Sequence, residues 1–129
     1  MAGRTFMIVD DDVDDRFFFR KAIKEIDSSN VYQEAFNGKD ALDKLRKMEH
    51  FPDFIFLDLN MYIMNGQECL EELKKDERLK KIPVIIYSTS LYPKEVENML
   101  RMGAVHYLIK PFDITKLSNE ITSILEGLQ

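Results

Sequence analysis

Residues 54–61 read FIFLDLNM, a run of four large apolar residues that ends on an acid. Such a short apolar run is typical of a strand buried on both faces, as in a parallel sheet covered by helices. Asp58 would then stand at the carboxyl end of that strand, where open α/β sheets bind their ligands. A single Asp after a strand more commonly opens a turn or caps a helix. The rest of the chain decides between these two interpretations.

The composition indicates one acidic globular domain. The chain has 129 residues, with 18 basic and 23 acidic side chains and a net charge of -5. This length fits a single domain, and the acidic balance lacks the basic stripe of a nucleic-acid-binding protein. No apolar run approaches membrane-spanning length, and the first residues lack the apolar segment of a signal peptide. We therefore expect a cytoplasmic protein that binds neither nucleic acid nor membrane.

Strand-like and helix-like segments alternate along the whole chain. The predicted strands are residues 6–9, 31–36, 54–57, 84–87 and 105–109. The predicted helices are residues 14–26, a segment marked by Ala41, Leu42, Leu45 and Met48, residues 67–76, a segment from Pro93 to Gly103, and a segment from Ile114 to Leu128. This order predicts a parallel (βα)5 sheet with right-handed crossovers, and the polar second strand is expected at an edge. We expect a single domain, residues 1–129, with a core of about residues 5–125 and no output domain.

Acidic side chains follow the first and third predicted strands. Five of the six residues from Asp10 to Asp15 are acids. The helix macrodipole would stabilise Asp14 and Asp15 at the start of a helix. It does not explain Asp10 and Asp11, which directly follow the first strand. If strands one and three are neighbours, Asp10 and Asp11 converge with Asp58, and three carboxylates form an oxygen-ligand site that suits Mg²⁺.

The fourth and fifth strands end on groups that suit a phosphate. Ser88 and Thr89 follow the fourth predicted strand with hydroxyls that can donate to phosphate oxygens, and Lys110 follows the fifth. A lysine at this edge would neutralise the charge of a transferring phosphoryl group. Each feature is weak alone. Together with the acids they predict an aspartyl phosphate on Asp58, made by attack of its carboxylate on a phosphoryl donor.

Four motifs in this arrangement resemble the signature of response-regulator receiver domains. They are V-D-D at residues 9–11, L-D at residues 57–58, S-T at residues 88–89 and K-P-F at residues 110–112. The resemblance spans about residues 5–125 and is to stand-alone regulators of the chemotaxis type. It implies a flavodoxin-like (βα)5 three-layer sandwich whose parallel sheet has the strand order 2-1-3-4-5.

The resemblance also assigns the chemistry of the third strand. It implies that Asp58 is the phospho-acceptor, which receives its phosphoryl group from a sensor histidine kinase or a histidine phosphotransfer protein. Mg²⁺, with Mn²⁺ as a substitute, would be bound by Asp11, Asp58 and the main-chain carbonyl of Asn60, while Asp10 would act through a water. Tyr62 stands where the family commonly has Pro, so the loop after Asp58 departs from the family pattern.

Further roles follow from the same resemblance. Ser88 would be the switch hydroxyl, with Thr89 beside it, Lys110 would pair with the phosphate, and Tyr107 would be an aromatic switch. The Lys110-Pro111 peptide bond would be cis, which X-Pro bonds tolerate. The implied protein is a signalling domain that catalyses only its own phosphorylation and slow autodephosphorylation. The surface formed by its fourth helix, fifth strand and fifth helix would change on phosphorylation and signal to a downstream partner. The protein itself would be a monomer or a homodimer promoted by phosphorylation.

Two other functions remain open from the residues. Asp10 and Asp12 also fit the first motif of haloacid-dehalogenase-like phosphatases, with Asp10 as nucleophile and Asp12 as acid. Those enzymes likewise use Mg²⁺, although this chain is short for that fold and lacks its later acidic pair. The second alternative is a receiver-like binding module that is never phosphorylated.

Overall fold

Five parallel strands form one sheet in the predicted order β2-β1-β3-β4-β5. The computed structural model describes residues 3–90 and 92–128, so the predicted domain ends at residues 1 and 129 lie outside the described part. The strands are β1 (Thr5–Val9), β2 (Val31–Ala35), β3 (Phe54–Leu57), β4 (Val84–Ser88) and β5 (His106–Ile109). The helices are α1 (Val13–Ile26), α2 (Gly38–Arg46), α3 (Gly66–Lys75), α4 (Pro93–Arg101) and α5 (Ile114–Gly127).

The sheet is covered on both faces, which confirms the predicted three-layer fold. Alternate side chains of a strand point to opposite faces, and β1 shows the division clearly. Met7 and Val9 belong to a buried cluster with residues of α2, α3 and α4. Phe6 and Ile8 belong to a second buried cluster with residues of α1 and α5. The polar strand β2 lies at an edge, as its sequence predicts.

An aromatic cluster sets the position of α1 over the sheet. The ring of Phe19 lies 4.8 Å from the ring of Phe56 and 5.9 Å from the ring of Tyr87, measured between centroids. Phe19 is fully buried, and aromatic pairs at such distances stabilise a core beyond their buried area. The first turn of α1 is therefore held close to the carboxyl ends of β3 and β4.

The residues at which the helices begin and end are set by local hydrogen bonds and backbone conformation more than by the spacing of apolar residues. Helix α1 begins at Val13 because the Asp12 carboxylate accepts the backbone N–H groups of Asp14 and Asp15, at 2.8 and 3.1 Å. Gly103 has φ of +111° and ends α4, as predicted. Met48, predicted to belong to α2, lies beyond the end of that helix, although its side chain still packs against the core.

Across residues 3–90 and 92–128, no helix is both long enough and apolar enough to cross a bilayer.

Candidate functional site

Three carboxylates meet at the carboxyl edge of the sheet because β1 and β3 are neighbours. Val9 and Leu57 are paired across these strands, and the N–H group of Asp58 donates to the carbonyl of Val9 at 2.9 Å. The carboxylates of Asp10, Asp11 and Asp58 each offer an oxygen, and these atoms lie within 4.8 Å of one another. Asp10 and Asp58 are buried, whereas Asp11 is exposed. The predicted convergence of the three acids is confirmed.

The loop after Asp58 folds back tightly over the end of β3. The N–H group of Gly66 donates to the carbonyl of Leu59 at 3.1 Å. A Cβ atom at Gly66 would lie 2.3 Å from the carbonyl oxygen of Asp58, a distance that no side chain tolerates. Gly66 is therefore required for the close approach of α3 to the acceptor strand. Asn60 lies in this loop, where its backbone N–H group acts to lower the pKa of Asp58.

Lys110 reaches the acids from the end of β5. Its backbone N–H group donates to the carbonyl of Ser88 at 2.9 Å, which continues the β4–β5 ladder past Ile109. Its Nζ atom lies 2.8 Å from Asp10 Oδ2, 2.8 Å from Asp15 Oδ2 and 3.5 Å from Asp58 Oδ1. The structure thus brings Lys110 to the acids, as predicted.

Burial and crowding of charge shift the ionisation of this site. Burial raises the pKa of Asp58 to about 6, with the Asp10 charge adding to the rise and the Lys110 ammonium opposing it. Burial likewise raises the pKa of Asp10, against the hydrogen bond and charge of Lys110. For Lys110, burial alone would lower the pKa, but the hydrogen bonds and charges of its acidic partners raise it above the ordinary lysine value. One ammonium does not neutralise all these carboxylates.

The donor set fits a divalent cation with a preference for oxygen ligands. Asp10, Asp11 and Asp58 supply carboxylate oxygens, and the described residues bring no His or Cys side chain into this group. Mg²⁺ prefers such ligands and keeps several of its waters. The exposed side of Asp11 leaves room for those waters. The main-chain carbonyl of Asn60 remains a predicted ligand.

The hydroxyl groups predicted at β4 and β5 occupy separate positions. Ser88 is fully buried, and its Oγ accepts the N–H group of Ser90 at 3.2 Å. Thr89 lines a cavity of about 340 Å³ beside Lys110. The Tyr107 hydroxyl donates to the carbonyl of Ser90 at 3.2 Å and lies 3.2 Å from Glu95 Oε1. Tyr107 therefore links β5 to the segment after β4 and to α4.

The predicted cis bond between Lys110 and Pro111 is wrong. Among the described residues every peptide bond is trans, including this one. Trans is the lower-energy isomer even before proline, by roughly 0.5–1 kcal/mol. With this bond trans, the Lys110 ammonium lies 2.8 Å from Asp10 Oδ2 and 2.8 Å from Asp15 Oδ2.

Two residues of the site were missed by reasoning from sequence. Asp15 was explained by the helix macrodipole alone, yet its carboxylate contacts Lys110. The Arg16 side chain donates from Nη1 to the carbonyl of Asp10 at 2.9 Å. A usable signal existed for Asp15, because it precedes the apolar Phe19 by four residues and so shares its helix face. No comparable signal marks Arg16.

The position of Asp12 bears on the phosphatase alternative. That alternative requires Asp12 as the catalytic acid, but its carboxylate accepts two backbone N–H groups as the cap of α1. The Asp12 carboxylate is therefore engaged as a helix cap and is not directed at Asp10 as a partner acid. The site gives no observation in favour of phosphatase chemistry at Asp10.

Known proteins are similar in sequence to most of this chain. A family model described as response regulator receiver domain matches residues 6–122. The chain is 30% identical over 122 residues to the chemotaxis protein CheY-3 of Vibrio cholerae serotype O1, covering 95% of this chain and 92% of that protein.

Solved structures agree with the sequence matches. The phosphorylated cyanobacterial phytochrome response regulator RcpA superposes with a TM-score of 0.86 at 27% identity, covering 97% of this chain and 93% of that one. The Mn²⁺-bound form of the response regulator Rcp1 superposes with a TM-score of 0.81 at 25% identity, covering 94% of this chain and 91% of that one.

Proposed function

Because the chain belongs to the family of response regulator receiver domains, we propose that Asp58 accepts a phosphoryl group from a sensor histidine kinase or a histidine phosphotransfer protein. The observation that carries this proposal is the setting of Asp58. Its carboxylate stands at the end of β3, grouped with Asp10 and Asp11, and 3.5 Å from the Lys110 ammonium. An acid with a neighbouring cation on one side and a cation site on the other suits phosphoryl transfer.

The transfer is a displacement at phosphorus. An oxygen of the Asp58 carboxylate attacks the phosphorus atom of the donor phosphohistidine. A P–O bond forms, the P–N bond breaks, and the electron pair stays on the imidazole nitrogen. Lys110 donates to the oxygens of the transferring group, with Ser88 and Thr89 as hydroxyl donors at the end of β4. The domain acts on its own chain only, by accepting the group and losing it slowly to water.

The cation site is proposed to bind Mg²⁺, with Mn²⁺ as a substitute. Asp11, Asp58 and the main-chain carbonyl of Asn60 are the proposed direct ligands, and Asp10 acts through a water. When bound, the ion neutralises charge on the phosphoryl oxygens. The oxygen-only donor set supports this assignment, and the similar regulator Rcp1 has a Mn²⁺-bound form.

The output is proposed to be a change in the surface formed by α4, β5 and α5. A phosphoryl group on Asp58 draws the Ser88 hydroxyl toward it, and Tyr107 then changes position on β5. The hydrogen bond from Tyr107 to Ser90 and its contact with Glu95 support this route, because they tie β5 to the segment after β4 and to α4. Phosphorylation thus acts as a population shift between two packings.

The proposed partners are proteins. The phosphodonor is a histidine kinase or phosphotransfer protein, and a downstream protein binds the α4-β5-α5 surface. We propose that the chain acts in the cytoplasm as a monomer or as a homodimer promoted by phosphorylation. Neither nucleic acid nor membrane is a proposed ligand, because the chain has 23 acidic and 18 basic side chains.

The test is the intact mass of the protein after incubation with acetyl phosphate and Mg²⁺. We expect one phosphoryl adduct on the wild type, and no adduct when a chelator is present throughout the incubation or when Asp58→Asn is used. Asp43→Asn is the matched control, because Asp43 is an exposed acid of α2 whose ion pair is with Lys39. This variant should form the adduct at the wild-type rate.

An adduct that persists in Asp58→Asn would contradict the proposed acceptor. A folded wild type that forms no adduct would instead favour the binding module that is never phosphorylated.

A further inference from the structure

One acid at the site has no part in the proposed transfer. Asp15 Oδ2 lies 2.8 Å from Lys110 Nζ, the same distance as Asp10 Oδ2. On the basis of the function proposed above, we propose that Asp15 is a positioning residue for Lys110. It holds the ammonium beside α1 and beyond close hydrogen-bond distance of Asp58. The carboxylates of Asp58 and Asp11 then stay available to the metal ion.

The count of hydrogen-bond donors supports this role. A lysine ammonium has three N–H groups. Two short contacts, to Asp10 and Asp15, leave one N–H group for Asp58. The distance from Lys110 Nζ to Asp58 Oδ1 is 3.5 Å, which exceeds the usual range of an N–H···O hydrogen bond. Without Asp15, the freed donor would close on Asp58 and compete with the metal ion for that carboxylate.

The surroundings confine the ammonium to this position. The Lys110 side chain is 9% exposed and that of Asp15 is 29% exposed, so solvent ions screen the pair weakly. The Lys110 Nζ atom also lies 5.2 Å from the centroid of the Tyr87 ring, within the range of a cation–π contact. Asp10, Asp15 and Tyr87 thus surround the Lys110 ammonium.

The fold holds Asp15 in place. Phe19 follows Asp15 by four residues, so the two side chains share one face of α1. The Phe19 ring is fully buried against Phe56 and Tyr87. Core packing therefore holds the helix backbone that carries Asp15, and the acid acts as a second anchor for Lys110.

The neighbouring acid offers a matched control. Asp14 carries the same charge in the same helix turn, but it is exposed. The ion pairs of Lys110 within residues 3–90 and 92–128 are with Asp10, Asp15 and Asp58. Asp14→Asn therefore reports the general loss of one negative charge near the site, without the loss of the anchor.

The test measures the dissociation constant of Mg²⁺ by calorimetry, with no phosphoryl donor present. We expect Asp15→Asn to raise the Kd by about fivefold or more over Asp14→Asn, within the range found for coupled charged neighbours. Asp15→Ser, a residue well tolerated in a first helix turn, should give the same result. Thermal unfolding of each variant checks that it is folded.

A double-mutant cycle separates positioning from simple charge. In a Lys110→Met background, the Asp15→Asn effect on Kd should shrink to that of Asp14→Asn, because no ammonium remains to be held. An Asp15→Asn effect that is equal in both backgrounds would overturn the proposal. So would an effect no larger than that of Asp14→Asn, or a wild type that binds no Mg²⁺.

The same samples distinguish this inference from the proposed function. The wild type is tested separately for the acetyl phosphate adduct. An adduct without coupling between Asp15 and Lys110 means that only the positioning role is wrong. Coupling without an adduct means that the positioning role holds and the acceptor assignment at Asp58 is wrong.

Discussion

Asp58 lies buried beside Asp10, and its pKa is raised to about 6 by burial and by that neighbouring charge. In the unfolded chain the same carboxyl has an ordinary value of 3.8. Between these values the folded protein retains a proton that the unfolded chain has released. The free energy of unfolding of the metal-free protein therefore falls as pH rises from 3.8 to about 6. Above about pH 6, Asp58 is ionised in both states and no longer makes the free energy of unfolding change with pH.

Asp58→Asn should stabilise the metal-free protein at neutral pH. The substitution removes a buried charge and keeps nearly the same side-chain size and shape. We expect the free energy of unfolding to rise by about 1–2 kcal/mol at pH 7.5, since one pKa unit corresponds to about 1.4 kcal/mol. The gain should largely vanish at pH 4. Urea unfolding in the presence of a chelator measures the free energy of unfolding at each pH. An equal rise at pH 7.5 and at pH 4 would contradict the assigned ionisation of Asp58.

Ser88→Ala should separate phosphorylation from the output. The Ser88 hydroxyl ends β4 fully buried, and the Asp58 carboxylate does not depend on it for its own hydrogen bonds. We expect the variant to form the phosphoryl adduct, but to lose most phosphorylation-dependent NMR shifts in α4, β5 and α5. Ser123→Ala removes an exposed hydroxyl from α5 and should keep those shifts. A full set of shifts in Ser88→Ala would count against Ser88 as the switch.

The loop between β3 and α3 depends on a glycine for its geometry. A Cβ atom at Gly66 would lie 2.3 Å from the Asp58 carbonyl oxygen and 2.7 Å from the Leu59 Cα atom. Both are backbone atoms, so no side-chain movement relieves the contact. The start of α3 must then shift away from the strand that carries Asp58.

Gly66→Ala should destabilise the fold and impair the site together. We expect the free energy of unfolding to fall by at least about 2 kcal/mol, as for other overpacked positions, and adduct formation to slow. Gly127→Ala is the control, because a Cβ atom there meets nothing within 4 Å. The free energy of unfolding of Gly127→Ala should be unchanged or should rise by up to about 1 kcal/mol. Equal stability of the two variants in urea unfolding would argue against the close approach.

Metal binding should stabilise the whole domain, because the three acids come together only when β1 and β3 pair. A ligand that binds only the folded state raises the free energy of unfolding. For a domain of this length, free Mg²⁺ at ten times its Kd should raise Tm by about 3–6 °C. Calorimetric scans with Mg²⁺ and with a chelator measure this change.

Asp11→Asn should abolish the Mg²⁺-dependent rise in Tm at little cost to the metal-free protein. Asp11 is exposed, and exposed substitutions usually change stability by less than about 0.5 kcal/mol. Asp43→Asn, a remote acid of α2, should retain the full rise. Retention of the full rise in Asp11→Asn would show that the ion binds elsewhere.

Several parts of the site were predictable because they depend only on the order of residues along the chain. Asp10, Asp58, Ser88 and Lys110 each end or follow a strand, and parallel neighbours bring their carboxyl ends to one edge of the sheet. The apolar strands and their alternation with helices therefore predicted both the topology and the meeting of these groups. The cap at Asp12 and the end of α2 before Met48 were not predicted, because helix ends depend on local hydrogen bonds and not on the spacing of apolar residues.

By itself, the sequence determined the (βα)5 order, the edge position of β2 and the convergence of the acids with Lys110. Those features follow from the period of apolar residues and the parallel direction of the strands. Only the tertiary structure decided that Asp15 contacts Lys110 and that Tyr107 contacts Ser90. The physical reason is that the direction of a side chain depends on packing between elements distant in the sequence, which no local pattern records.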